Sequence, residues 1–164
     1  MATQKFGIRG FSSAAQTSLA AAVKSVTRRR RRAALTEQHR LHFDLLCKAM
    51  DDPALAAVLD TYESVIEPQK QRQFLFANAL YVNALYYYRI DAITKAELYG
   101  HLRIICQNQI FREYWEATRP HRKSLPGASE EAALGRMMDE LVQDLDSADT
   151  DEWWVVGNPP EEPL

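Results

Sequence analysis

Residues 68–90, PQKQRQFLFANALYVNALYYYRI, decide the fold. Phe74, Ala77, Tyr81, Ala84, Leu85 and Tyr88 recur at helical spacing, and Phe76, Leu80, Asn83 and Tyr87 make a second line on the same helix. A helix lined on two sides predicts a central position, with neighbours packed against both. Asn78 and Asn83 would then be partly buried and need partners. Pro68 suits the first helical position, where no amide hydrogen is required.

Downstream, Thr94 and Glu97 spell a capping box for a helix over 95–109 that buries Leu98, Leu102, Ile105 and Cys106. The pattern pauses from Gln107 to Ile110, then resumes for a turn through Phe111, Tyr114 and Trp115 that Pro120 is expected to end. Residues 119–128 (RPHRKSLPGA) read as a polar linker. Ser129, with acids directly behind it, caps a last helix reaching Leu145, with the stripe Leu134, Met137, Met138, Leu141 and Leu145. Upstream, Asp52 and Pro53 open a short helix whose Leu55, Val58 and Leu59 are expected to face inward. Residues 33–50 carry two apolar lines, Leu41-Leu45-Ala49 and Leu35-Leu46-Met50. An Ala-rich stretch over 13–26 is weakly amphipathic through Leu19, Val23 and Val26, and residues 1–12 show no period and read as a flexible arm.

The expected fold is therefore all-α: a compact bundle of five or six helices over 35–145. A basic Ala/Arg-rich arm, partly helical, occupies 1–34, and an acidic disordered tail occupies 146–164. A chain of 164 residues is one ordinary domain with mass for one core. Its 46% hydrophobic content excludes wholesale disorder. Six glycines are too few for many hairpin turns, which again favours helices. Cys47 and Cys106 both sit in apolar helical patterns and are expected to be reduced and buried rather than bridged.

The net charge of −2 hides a bipolar chain. Residues 1–35 hold eight bases and no acid, and residues 36–126 hold eleven of each. From residue 127 onward there are eleven acids and a single base, Arg136. Five consecutive arginines, Arg28, Arg29, Arg30, Arg31 and Arg32, with Lys24 one turn before them, are rare as mere solvated surface. They point to phosphate contact, on lipid headgroups or nucleic acid, or to a protein partner such as the acidic tail. Helix 13–26 beside them favours an anionic membrane surface, and the charge-balanced body disfavours a nucleic-acid reader. The 13–26 stretch is too short and interrupted to cross a bilayer and lacks a secretory h-region, although its Arg- and Ser-rich, acid-free composition is also that of organelle transit peptides. The expected location is cytoplasmic, peripheral on a membrane, with a homo-oligomer as a further partner arrangement.

Patterns for chemistry are scarce. His39 and His42 stand at i, i+3 and would share a metal only with further ligands, but no HExxH or Cys–Cys zinc spacing supplies them. Glu97 and His101 at i, i+4 read as a helix-surface contact rather than an acid–base dyad. The chain has no Gly-rich phosphate loop, GxSxG or partnered Cys nucleophile. No catalytic residue, metal ligand or cofactor is assigned, and an interaction or regulatory role is favoured over an enzyme. Tyr86, Tyr87 and Tyr88 point about 100° apart on a helix and cannot form one stacking platform, so packing is their reading. A pocket or partner surface around His42, His101, Tyr114 and Trp115 remains the place where an enzyme reading would look.

HRLHFDLL (39–46), DDPALAAVL (51–59), the Asn-rich aromatic helix around 78–89 and NQIFREYWE (108–116), in that order, resemble an uncharacterised actinobacterial domain-of-unknown-function family. The resemblance spans about half the chain. It implies a helical fold and, in typical members, a hydrophobic N-terminal membrane anchor. Here an Ala-rich segment and an arginine run stand in the anchor's place. The resemblance implies no activity and no catalytic residues.

Overall fold

The computed structural model describes residues 11–148, with side chains from residue 20 onward. Among these there are seven helices and no strand: α1 (Phe11–Asp51), α2 (Pro53–Val58), α3 (Pro68–Arg89), α4 (Lys95–Ile105), α5 (Gln109–Ala117), α6 (Arg119–Lys123) and α7 (Glu130–Ser147). The chain divides into two compact units, Met1–Gln38 and His39–Leu164.

The first unit contributes most of α1. No glycine or proline interrupts residues 11–51, and arginine is a good helix former, so the Ala-rich stretch, the arginine run and the 33–50 helix join into one element. Ser25, Thr27 and Thr36 donate their hydroxyls back to the carbonyls of Ala22, Val23 and Arg32, at 2.8, 2.9 and 2.9 Å. Phe11 and Ser12, expected in a flexible arm, are already helical. The rest of that arm, residues 1–10, lies outside the described residues. So does the 149–164 part of the acidic tail, with its Trp153-Trp154-Val155-Val156 patch.

The second unit is an all-α bundle centred on α3, which packs against α4, α5 and α2. The main stripe of α3 lies where its spacing predicts, with Phe74, Ala77, Ala84 and Leu85 buried and Tyr81 and Tyr88 at the core edge. They meet Leu98, Leu102 and Cys106 of α4 and its cap, Phe111, Tyr114 and Trp115 of α5, and Leu134, Met137, Met138 and Leu141 of α7. The second line is displaced. Phe76, Leu80 and Tyr87 are 53%, 38% and 45% exposed, and the buried second face is Leu75 and Ala79, packed against Leu46, Ala49 and Ala56. Alanines at these positions let backbones approach closely, so the contact face follows small residues rather than the largest apolar ones. The same rule corrects α2, where Ala56 is buried and Leu55, Val58 and Leu59 are exposed. At the end of α1, Leu46 and Ala49 are buried as expected, while Leu41 and Leu45 face out. Gln71 is buried, and its Nε2 donates to the Ala56 carbonyl at 3.0 Å.

The caps follow the sequence. Asp52 accepts from the Ala54 amide at 2.8 Å, Thr94 and Glu97 form the complete capping box, and Ser129 accepts from Ala132 at 3.1 Å. The 95–109 helix breaks earlier than expected, at Ile105. Asn108 caps a new helix by accepting from the Ile110 and Phe111 amides. The carbonyls of Cys106 and Gln107 at the break receive the Arg112 guanidinium, which also pairs with Asp146 of α7. At the end of α3, Asp91 takes a positive φ of 56°. The Ala92 and Asp91 amides donate to the Tyr87 and Tyr88 carbonyls, a Schellman closure in which aspartate replaces the usual glycine. Pro120 does not end the helical region. It stands in the first turn of α6, where its missing amide costs nothing, and this turns part of the expected linker into a seventh helix. Both cysteines are free thiols, Cys106 buried as expected and Cys47 only half-buried.

Candidate functional site

The sequence-predicted residues fall in two places. Lys24 and Arg28 to Arg32 lie on α1, and Lys24 and Arg28 to Arg31 are exposed. Five successive residues at about 100° each distribute guanidinium groups around the whole circumference of the helix. Val23 and Val26, directly before them on the helix, are 58% and 48% exposed. Among the described residues no helix is long and apolar enough to cross a membrane.

The second place is a cavity of about 350 Å³ in the His39–Leu164 unit, lined by residues of α1, α3, α5, α6 and the α2–α3 connection. His42, Tyr114 and Trp115 all line it. His101 does not: it is exposed on α4, where its charge adds a minor influence on Glu97. The Glu97 carboxyl is held below its ordinary value chiefly by the Thr94 backbone and hydroxyl, as a capping residue should be.

Around the cavity, burial dominates the electrostatics. Tyr62 and Tyr81 are pushed up to about 12 by desolvation, and Tyr114 is pushed up further, so all three phenols stay neutral at any working pH. Arg122 is held in a tight frame. Its guanidinium lies 3.7 Å over the Trp115 ring and donates to the Trp115 carbonyl, to Thr118 Oγ1 at 2.7 Å and to Asp139 at 2.9 Å. Asp139 Oδ1 also accepts the Trp115 indole N–H at 2.7 Å. His121 Nε2 meets the Thr61 carbonyl at 2.9 Å and ties α6 to the α2–α3 connection. Sequence reasoning missed Tyr62, Asn78, His121 and Arg122 because they lie in segments read as connection, linker or buried stripe. The usable signal was the Arg122–Trp115 spacing of seven, which places the two on one side across the α5–α6 break.

His39 stacks on Tyr86 with ring centroids 4.2 Å apart and is half-buried. The His42 Nε2 is buried with no hydrogen-bond partner. Burial first, and the neighbouring His39 second, lower its pKa from the ordinary 6.5. Between the lowered folded value and 6.5 the unfolded chain binds more protons, so acidification through that window favours unfolding. The melting temperature is expected to fall between about pH 7.5 and about pH 5.5, and to fall less in His42→Gln. Identical pH slopes for the two proteins would place the sensitivity elsewhere. Among the described residues no three His, Cys, Asp or Glu side chains gather closely enough to hold a metal ion.

A second hollow, an apolar groove of about 510 Å³, is lined by Met50, Phe76, Leu80, Ile104, Ile110 and their neighbours. It is where two members of the displaced second line of α3, Phe76 and Leu80, emerge.

No curated protein and no solved structure matches the chain. Residues 4–153 match the sequence profile of one family, and this covers both the arginine segment and the whole helical bundle. The chain belongs to the family of unknown function DUF6082.

Proposed function

We propose that this is a non-enzymatic helical interaction or regulatory protein that docks on an anionic membrane surface through the arginine segment of α1. The observation that carries the reading is the exposure of Val23 and Val26 directly before the five arginines on the same unbroken helix. Phosphate contact alone needs no exposed apolar residues, whereas a surface-bound helix uses them to enter the headgroup boundary. Arg29 and Arg30 follow Val26 by three and four positions, so they share the valines' side of the helix and can meet one surface together with them. Each contributes about 1 kcal/mol near an anionic bilayer, so the two account for an affinity gain of roughly thirtyfold.

Replacing Arg28 to Arg32 together with Gln is therefore expected to weaken binding to phosphatidylserine-containing vesicles by roughly that factor. Binding by the parent should also fall steeply as salt shortens the Debye length. Val23→Gln with Val26→Gln should weaken vesicle binding less and leave duplex DNA binding unchanged. Co-sedimentation with vesicles and a DNA titration on the same proteins read both effects. Equal vesicle binding by the Gln variant and the parent would overturn the reading. Binding to DNA that exceeds vesicle binding and ignores the valine changes would move the arginines to a nucleic-acid role.

A further inference from the structure

The cavity beside Trp115 is built for a ligand. Its volume of about 350 Å³ lies within the ~300–1,000 Å³ range of small-molecule sites. Four leucines, Leu45, Leu46, Leu59 and Leu75, and Trp115 make the apolar part of the wall, and polar residues make the rest. The polar part is rich in donor groups: three tyrosines, the Asn78 amide and Arg122. Among the described residues no aspartate or glutamate lines it. Tyr114 is only 6% exposed and lines the cavity. His42 Nε2 and Arg122 Nε are buried without hydrogen-bond partners, and both residues line the same cavity. A buried polar group is ordinarily paired, because leaving it unpaired costs free energy.

We propose that this cavity binds a small monocarboxylate with an apolar tail, its head group among the Tyr114, Tyr81 and Arg122 donors and its tail against the leucines. Three features select that class. Neutral phenols and one guanidinium favour an acceptor carrying negative charge, and no carboxylate among the lining residues pairs with an ammonium. Among the described residues Arg122 is the only permanent positive charge in the wall, and it already shares Asp139, so a single negative charge suits it better than two. The leucine wall gives an aliphatic tail a surface that a bare carboxylate would leave unused. The site is separate from the arginine segment, and its ligand needs no membrane.

Calorimetric titration of the full chain with octanoate, octanol, octylamine and acetate tests it. Octanoate is expected to bind with one site per chain, and each of the other three at least about tenfold more weakly. Tyr114→Phe should weaken octanoate about tenfold and leave octanol unchanged, since it removes one hydrogen bond to a charged acceptor and nothing else. Leu75→Trp should fill the tail end and abolish octanoate binding, with folding checked by the melting curve. If that variant fails to fold, Tyr114→Phe still decides the matter. The proposal is overturned if octanoate does not bind, if octanol or acetate binds as tightly, or if Tyr114→Phe binds octanoate like the parent.

Discussion

Leu102→Asp is expected to leave the bundle without a cooperatively folded state, while Leu80→Asp leaves it folded. Leu102 is fully buried in the α4 face that meets α3 and α7, among Leu98, Met138, Leu141 and Cys106, each 0–1% exposed. An aspartate there either buries an unpaired charge or folds protonated with a polar group unsatisfied, and each route costs several kcal/mol. Set against a total stability of about 5–15 kcal/mol, that removes most of the margin. Leu102→Ala, which loses only packing, should cost about 2–5 kcal/mol. Leu80 is 38% exposed, so an aspartate at that position stays hydrated and should cost less than about 1 kcal/mol. Urea denaturation followed by far-ultraviolet circular dichroism reads all three. Equal midpoints for the two aspartate variants would mean that the α3–α4 interface has been assigned to the wrong faces.

The contrast between Leu102 and Leu80 also shows what the sequence could tell and where it misled. Caps were legible because each is a local bond between residues two or three apart, as Asp52, the Thr94–Glu97 box and Ser129 demonstrate. The α7 stripe and the first stripe of α3 were legible because large apolar residues repeat there with a single phase. The second face of α3 was not, because Ala79 and Leu75 are buried where Phe76 and Leu80 were expected. Hydrophobic size points outward there, and helix proximity favours the smaller residue. Periodicity cannot rank two candidate faces on one helix when both are apolar. The short helix α2 fails for the same reason, since a single buried alanine orients it.

The candidate cavity was only half legible. His42, Tyr114 and Trp115 stood out as residue types, and the structure brings them to one wall. Their partnership with Tyr62, Arg122 and His121 depends on α6, a five-residue helix in a segment whose composition reads as linker. Its placement rests on long-range bonds, His121 to the Thr61 carbonyl across 60 positions and Arg122 to Asp139 across 17, and no local pattern announces these. The arginine segment is the opposite case. Its composition is conspicuous, and its chemistry needs no tertiary partner to be recognised.

The frame that holds Arg122 supplies the second large effect. Asp139→Ala is expected to destabilise the protein by about 2–4 kcal/mol. The substitution removes the acceptor shared by the Trp115 indole N–H and the Arg122 guanidinium. Trp115 is 3% exposed, so its orphaned donor costs about 1–3 kcal/mol. The Arg122 side chain is only 14% exposed and loses its carboxylate, although Asp139 itself is 53% exposed, so water recovers part of that loss. Asp139→Asn keeps an oxygen for the indole and surrenders only the charge, so it should cost about 1 kcal/mol less than the alanine variant. Arg122→Met removes the cation instead and leaves a half-exposed carboxylate that still accepts the indole N–H. Combining it with Asp139→Ala should therefore cost less than the sum of the two single changes, by about 1 kcal/mol or more. Urea midpoints for the four variants give the cycle. Strict additivity, or an asparagine variant as unstable as the alanine one, would show that Asp139 does not join the two groups.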